Sequence, residues 1–452
     1  MTLTSEDLIV RARHLVTVDA DNRVLSDHAL VIKDGKIHDI LPAADATERY
    51  PEIRSLDRTD HIVMPGLVNT HCHLAMNLLR GIADDLPLMT WLQEHIWPVE
   101  GRWVDADFVA DGTALAIAES LLGGVTQVND MYFFPDEAAR VAHESGIRAT
   151  VGLIALDFPT VWASSPAEYI SKGLSVHDQC KSYPRVSTAF APHAPYTVSA
   201  DPLVQINTLA AELDIPVHMH VHETAGEVEH YESQHQRRPI GALADLGLLS
   251  SSLLAVHMTQ MSDAEVKQVV SQGVHILHCP ESNMKLASGA CPTAALLAAG
   301  ANVCLGTDGA ASNNDLDMFG EMRSASMLAK VTTGDAAALS ATEVLRMATI
   351  NGATALGTAH RSGSLEIGKD ADCIALACNS VNMAPMYNPI SHLVFSADRT
   401  NVTDVWVQGQ QLVDGRQLTT LDETKIVQRA NDWAKRISEA TAQADAQADA
   451  EN

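Results

Sequence analysis

Basic residues are scarce in this chain. Thirty Lys and Arg stand against 57 Asp and Glu, a net charge of −27 with a pI near 5.0. A surface so acidic repels phosphate backbones and anionic membranes, which argues against a nucleic-acid polymer as partner. Long apolar runs are absent too: no stretch reaches the roughly 18 residues a membrane-spanning helix needs. The opening MTLTSEDLIVRARHLVTVD has acids at Glu6 and Asp7 and no apolar run behind a basic cluster, so no secretory signal is expected. The cysteines number seven, an odd count without CxxC pairing. They are expected to be reduced thiols, and the compartment the cytoplasm.

What is present is a chain of 452 residues, 46% hydrophobic, enough for one large domain and a smaller module. Residues 1–60 read as short strands: Leu8 to Thr17, Ala29 to Lys33, a turn at Asp34-Gly35, and Lys36 to Leu41. From 61 to 365, apolar β-rich runs alternate with helical segments. Eight runs can be counted: Ile62 to Thr70, Val125 to Met131, Ala149 to Ala155, Val186 to Pro192, Ile215 to Val221, Leu253 to His257, His275 to His278 and Asn302 to Thr307. Segments such as Phe108 to Leu122 and Asp263 to Ser271 lie between them with helical periodicity. Eight β-then-α units favour an α/β fold of the closed (β/α)8 TIM-barrel type over an open doubly wound sheet. Strand patterning returns over 366–420 (Cys373 to Ala377, Val402 to Val407, Gln411 to Val413), which predicts a composite β-sandwich module with residues 1–60. Residues 421–452 read as a helix over 422–438, with Ile426, Ala430, Trp433 and Ile437 on one face, and a low-complexity, disordered tail.

Histidines collect where these runs end. Asn69-Thr70-His71-Cys72-His73 closes the first, and residues two apart on an extended chain project to the same side, so two imidazoles converge. The fifth ends His218-Met219-His220-Val221-His222-Glu223, the sixth at His257, and the eighth in Gly306-Thr307-Asp308-Gly309. One HxH is a weak signal, but the carboxyl ends of barrel strands share one face. Three histidines and a carboxylate there suit a zinc-like ion with a position open to water. His218, His220 and His222 have the same parity, so alternation does not choose the ligand. Glu223 is then either a loop carboxylate or a proton shuttle.

PGLVNTHCH, VHMHVHET, AVHM, LGTDGAASNN and GSLEIGKDADCIAL resemble the amidohydrolase superfamily, in its chlorohydrolase-related aminohydrolase branch. LLRGIADDLPLMTWLQEHIWPVEGRW, NDMYFF, APHAPYT and HCPESNMKL add to the likeness, which spans roughly residues 8 to 435. The resemblance implies one metal ion, Zn2+ with Fe2+ or Mn2+ as alternatives, on His71, His73, His220 and Asp308. It implies His257 as hydrogen-bond partner of the attacking water and Glu223 as the acid delivering a proton to the ring nitrogen. Asp308 would relay the water's proton to the leaving amine. It places Ser312 near the purine, Glu100 on the ribose hydroxyls and His193 against the nucleoside. The implied activity is hydrolytic deamination of an adenine nucleoside, with a small-molecule partner and a homo-oligomer left open.

One departure bears on the substrate. The branch places arginines after the third strand, but Val151 to Ile170 contains neither Lys nor Arg and offers Phe158, Pro159 and Trp162. Those side chains suit a neutral thioether, so 5′-methylthioadenosine is expected ahead of S-adenosylhomocysteine and adenosine. Competing readings are an enzyme for guanine, a pterin or a triazine, and a non-catalytic binding protein. A cytidine-deaminase-like zinc fold needs PCxxC after HxE; His230-Tyr231-Glu232 supplies only the first half.

Overall fold

A computed structural model of the chain describes residues 6–451, with side chains through residue 439. The first five residues of the expected 1–60 segment, and Asn452, lie outside the described residues. Eight strands pair in sequential order into one parallel sheet. They are β1 (Leu67–Cys72), β2 (Val125–Tyr132), β3 (Arg148–Ala155), β4 (Val186–Pro192), β5 (Val217–Val221), β6 (Leu253–His257), β7 (His275–His278) and β8 (Asn302–Leu305). Helices such as Ala106–Leu122, Pro166–Cys180 and Asp263–Ser271 follow the strands, and capping residues set their starts. Asp105 and Ser165 each accept from the third residue on, and Ser262 with Glu265 forms a capping box.

The edges β1 and β8 meet at the future site. Just beyond β8, the N–H groups of Thr307 and Asp308 donate to His71 O at 3.1 and 3.0 Å, and Thr70 Oγ1 donates to Leu305 O at 2.8 Å. Gly306 permits the approach, because a Cβ there would lie 2.7 Å from His71 N. The sheet thereby closes into a (β/α)8 barrel.

The terminal segments form a second, mixed eight-stranded sheet in which Cys373–Ala377 pairs with Arg54–Pro65, and Arg54–Pro65 with Leu8–Val16. Strand alternation assigns its faces. Ile374 and Leu376 join the core shared with the barrel, while Cys373 and Ala375 pack with Leu15, Val63 and Trp406 on the other side. The run Ile62 to Thr70, expected as one barrel strand, is divided: Arg54–Pro65 belongs to this sheet, and β1 begins after Gly66. Pro65 cannot donate to a ladder, and a Cβ on Gly66 would collide with Thr126. Both strands are buried here, so the apolar pattern runs unbroken across the switch.

Arg148, at the start of β3, ties the barrel's far end to this sheet through Asp370 and Asp372. The final helix runs Glu423–Glu451, past the 438 end read from sequence, and packs Trp433 against Phe108. The low-complexity tail expected to be disordered continues this helix to Glu451, in keeping with the helix preference of its alanines and glutamines. No helix among the described residues is long and apolar enough to cross a membrane.

Candidate active site

The carboxyl ends of β1, β5 and β6 and the loop after β8 bring five groups together. His71, His220 and His257 each place one nitrogen within 4.8 Å of the others, and His71, His73 and Asp308 do the same with one ligand atom each. Hydrogen bonding at the second ring nitrogen orients each imidazole of the ligand set. His73 Nδ1 faces Met131 O at 2.5 Å, His220 Nδ1 faces His193 O at 2.8 Å, and His71 Nδ1 faces His218 Nε2 at 2.8 Å. At His73 and His220 the carbonyl requires the proton on Nδ1, and all three rings turn Nε2 inward. His71 Nε2 is buried without a hydrogen-bond partner, as a metal-ligating nitrogen would be before its ion is considered. Burial holds His71 down at about 4 and His220 well below the ordinary range, so both are neutral. His73 differs: burial lowers it, but Asp308 outweighs burial and raises it to about 9, so a cation at Nε2 would displace a proton. The donor set therefore fits a divalent ion with nitrogen and oxygen ligands.

The strand geometry resolves the choice in β5. His218 lies one pleat deeper and bonds to His71. His222 turns away, with Nδ1 on Gln260 O and Nε2 accepting from Ile240 N at 3.4 Å. Only His220 reaches the cluster.

Asp308 and His257 sit in left-handed backbone, at φ 63° and 72°, a conformation that bulky residues adopt at some cost and that aims both side chains inward. Asp308 Oδ1 lies 3.2 Å from His73 Nε2, and Oδ2 accepts from Ser282 Oγ at 2.7 Å. Burial pushes this carboxyl up, yet the neighbouring His71 and His73 rings prevail and leave it well below the usual range. Glu223 is held through its backbone: its N–H donates to Glu227 at 2.9 Å and its carbonyl accepts from Thr259 at 2.6 Å. Burial, with the charge of Asp308 adding, pushes the Glu223 carboxyl up to about 8, so it is protonated at neutral pH. A group in that state can give a proton to a ring nitrogen. His257 Nε2 lies 3.7 Å from Glu223 Oε2, and its Nδ1 is bonded to the Asn283 side chain at 2.9 Å.

These groups open into a cavity of 320 Å³ that also reaches Glu100, His193 and Ser312. All the site residues read from sequence thus share one pocket or its immediate wall. Glu100 does not pair with Arg102; its Oε1 accepts from Tyr132 Oη at 2.6 Å, and burial raises its carboxyl to about 7. His193 both lines the pocket and supplies the carbonyl that orients His220. Phe158 and Pro159 line the cavity, but Trp162 does not: it packs edge-on against Phe134 with Lys172 over its ring. Among the described residues lining the cavity there is no Lys or Arg. Sequence reasoning assigned no role to Tyr132, Ser282 or Asn283. Their signal lay in NDMYFF and HCPESNMKL, which end β2 and follow β7, two strand ends that carry no metal ligand.

The model of the amidohydrolase family matches residues 62–412. The chain belongs to the amidohydrolase family. It is 49% identical over 96% of its length, and 97% of the relative's, to a protein of Saccharophagus degradans named 5-methylthioadenosine/S-adenosylhomocysteine deaminase. It is 38% identical over 96% of its length, and 99% of the relative's, to another deaminase of that name from Desulforudis audaxviator. A solved structure of an adenosine deaminase from Xanthomonas campestris with bound zinc is 49% identical and superposes with a TM-score of 0.95, covering 96% of this chain and 99% of the other.

Proposed function

We propose that this amidohydrolase deaminates adenine nucleosides hydrolytically, with 5′-methylthioadenosine preferred and S-adenosylhomocysteine and adenosine slower. The observation that carries this reading is the placement of Glu100 in the same cavity as the histidine cluster. A nucleoside presents ribose hydroxyls that can donate to the Glu100 oxygen not held by Tyr132, whereas guanine, a pterin or a triazine has no ribose for it to hold. The deaminase relatives and the zinc-bound neighbour support the same assignment.

Zinc is the ion we assign to His71, His73, His220 and Asp308; when bound, it supplies Lewis acidity that makes a water nucleophilic near neutral pH. The residues do the rest. His257, oriented by Asn283, hydrogen-bonds the water against the amino-bearing carbon. Glu223 gives its proton to the adjacent ring nitrogen, so negative charge does not build up on the purine as the C–O bond forms. Asp308, steadied by Ser282, takes one proton of the water and hands it to the amine; the C–N bond then breaks and ammonia leaves, while the proton remaining on the new C–O group returns to Glu223, which gives the inosine-type product and restores the acid. Ser312 stands 3.1 Å from Ser282 at the edge of the same pocket, where it faces the purine. A small-molecule partner accords with the net charge of −27, and a cytoplasmic location with seven free, buried cysteines.

The test is ammonia release from 5′-methylthioadenosine, adenosine, S-adenosylhomocysteine, guanine and a triazine. Turnover of the nucleosides at least 100-fold above guanine and the triazine is expected; a faster free base would overturn the assignment.

A further inference from the structure

One buried carboxyl has no part in the reaction above. Glu321, in the first turn of the helix Met318–Thr333, is fully buried and forms no ion pair among the described residues. Burial, with the neighbouring Glu281 adding, pushes its carboxyl well above the ordinary range. A buried acid without a cation is costlier than an apolar side chain of the same volume, so its placement is accounted for by what its oxygens hold.

Each oxygen accepts from a different loop of the site. Oε2 accepts from Glu281 N at 3.2 Å, and Oε1 from Asn313 Nδ2 at 2.6 Å. Glu281 is the second residue of the short helix Pro280–Lys285 behind β7; Pro280 has no N–H, so that of Glu281 is the first the helix leaves without an internal partner. Directly after it come Ser282, bonded to Asp308 at 2.7 Å, and Asn283, bonded to His257 at 2.9 Å. Asn313, in the loop behind β8, also donates from the same nitrogen to Thr307 O at 2.8 Å, one residue before Asp308. The helix fits closely here: a Cβ on Gly320 would stand 3.1 Å from the Glu281 carboxylate oxygens, and Ser324 Oγ donates to Glu281 Oε1 at 2.7 Å. A single side chain thus spans the two loops that orient Asp308 and His257.

We propose that Glu321 is a positioning residue for deamination, holding the loops after β7 and β8 in register so that Asp308 and His257 meet the same water. The inference rests on the deaminase reading and deepens it. Misplacing a reacting group by about an ångström can cost on the order of 100-fold in rate. Glu100, which meets the ribose, lies on a different segment, so the loss falls on kcat rather than on KM. Glutamine keeps the shape of Glu321 but replaces one acceptor with an NH2 donor. With its oxygen kept on Asn313, the closer partner, Glu321→Gln turns that donor toward the Glu281 N–H and breaks the link to the β7 loop without opening a cavity.

The experiment measures kcat and KM for 5′-methylthioadenosine by ammonia release, with zinc content and melting temperature, on the metal-loaded full-length enzyme. Glu321→Gln is expected to keep one zinc per chain and a KM within about twofold of the parent, while kcat falls about tenfold or more. Asn313→Ala cuts the other anchor and should lower kcat at least about threefold, again at unchanged KM. A mutant cycle separates positioning from a general loss of structure. In a Ser282→Ala, Asn283→Ala background the links from this helix to Asp308 and His257 are already gone, so adding Glu321→Gln should cost less than about threefold more. A merely structural contribution would multiply through in full, and that result would overturn the proposal. So would a kcat for Glu321→Gln within about twofold of the parent, or a loss that only tracks lost zinc or lost folded protein. A metal-loaded parent that deaminates no nucleoside would sink the functional reading itself, and the proposal with it.

Discussion

His71 Nδ1 lies 2.8 Å from His218 Nε2, both rings fully buried, and this contact fixes which nitrogen of His71 faces the cluster. A ligand's hydrogen-bond partner typically contributes 10- to 100-fold to metal affinity, whereas a ligand contributes more. His220→Ala is therefore expected to purify with little zinc. His218→Ala should bind zinc about 10- to 100-fold more weakly, measured by competition with a chelating dye. Metal retained by the first variant and lost by the second would reverse the roles of the two residues.

Glu223 is protonated and approaches no metal-ligating nitrogen closely, so its removal should separate chemistry from metal binding. Glu223→Gln is expected to keep one zinc per chain while kcat falls by about 10²- to 10⁴-fold. Near-normal turnover would take Glu223 out of the mechanism, and loss of zinc would make it a ligand.

The raised pKa of Glu100 sets a pH dependence that can be signed. Its carboxyl ionises near 7 in the fold instead of near 4.5, because burial disfavours the charge. The protonated form is thus favoured on folding: the stabilising contribution is complete below about pH 4.5 and is lost as pH rises through 7. Accordingly, Glu100→Gln should gain melting temperature relative to the parent between pH 5 and 8. Hydroxyl acceptance is strongest in the ionised form, so KM for 5′-methylthioadenosine should fall as pH rises through 7 in the parent. A parent KM with the same pH profile as the variant would remove Glu100 from the ribose contact.

The cations that could have served a homocysteine carboxylate are engaged elsewhere. Arg102 stacks on Trp103 at 5.3 Å, and Arg148 is paired with Asp370 and Asp372 at the opposite end of the barrel. An unpaired carboxylate in this pocket would cost several kcal/mol if it stayed dry. Allowing for a partly open mouth, kcat/KM for 5′-methylthioadenosine should exceed that for S-adenosylhomocysteine by at least about tenfold, roughly 1.4 kcal/mol. Parity between the two would show that a cation reaches the pocket.

Arg148, with both of its acidic partners, is buried across the junction of barrel and mixed sheet. Arg148→Met takes the cation from Asp372, while Asp370 keeps Arg361 and Lys36, and is expected to destabilise the protein by about 3 kcal/mol in urea unfolding, without altering KM. A loss below about 1 kcal/mol would mean that water reaches the freed acid.

The barrel was legible because its grammar is local. Eight apolar runs with capped helices between them can be counted one by one, and the ends of four of those runs already carried His71, His73, His220, His257 and Asp308. Two things escaped. The sheet switch at Pro65-Gly66 was hidden because a strand buried on both faces has no alternation to interrupt. Trp162 was expected in the pocket with Phe158 and Pro159, yet loop side chains have no period from which direction could be read, and it packs outward on Phe134.

The sequence by itself determined the number of barrel strands, the side chains able to bind a metal ion, and the lack of basic residues after β3, since composition and periodicity are properties of short segments. The tertiary structure alone decided that His220 rather than His218 or His222 meets the cluster, that Tyr132 holds Glu100, and that Ser282 and Asn283 hold Asp308 and His257. Each of those contacts joins residues at least 26 positions apart or picks one among side chains of equal parity. Closing the barrel sets the depth and angle of every strand end at once, and no local pattern encodes that.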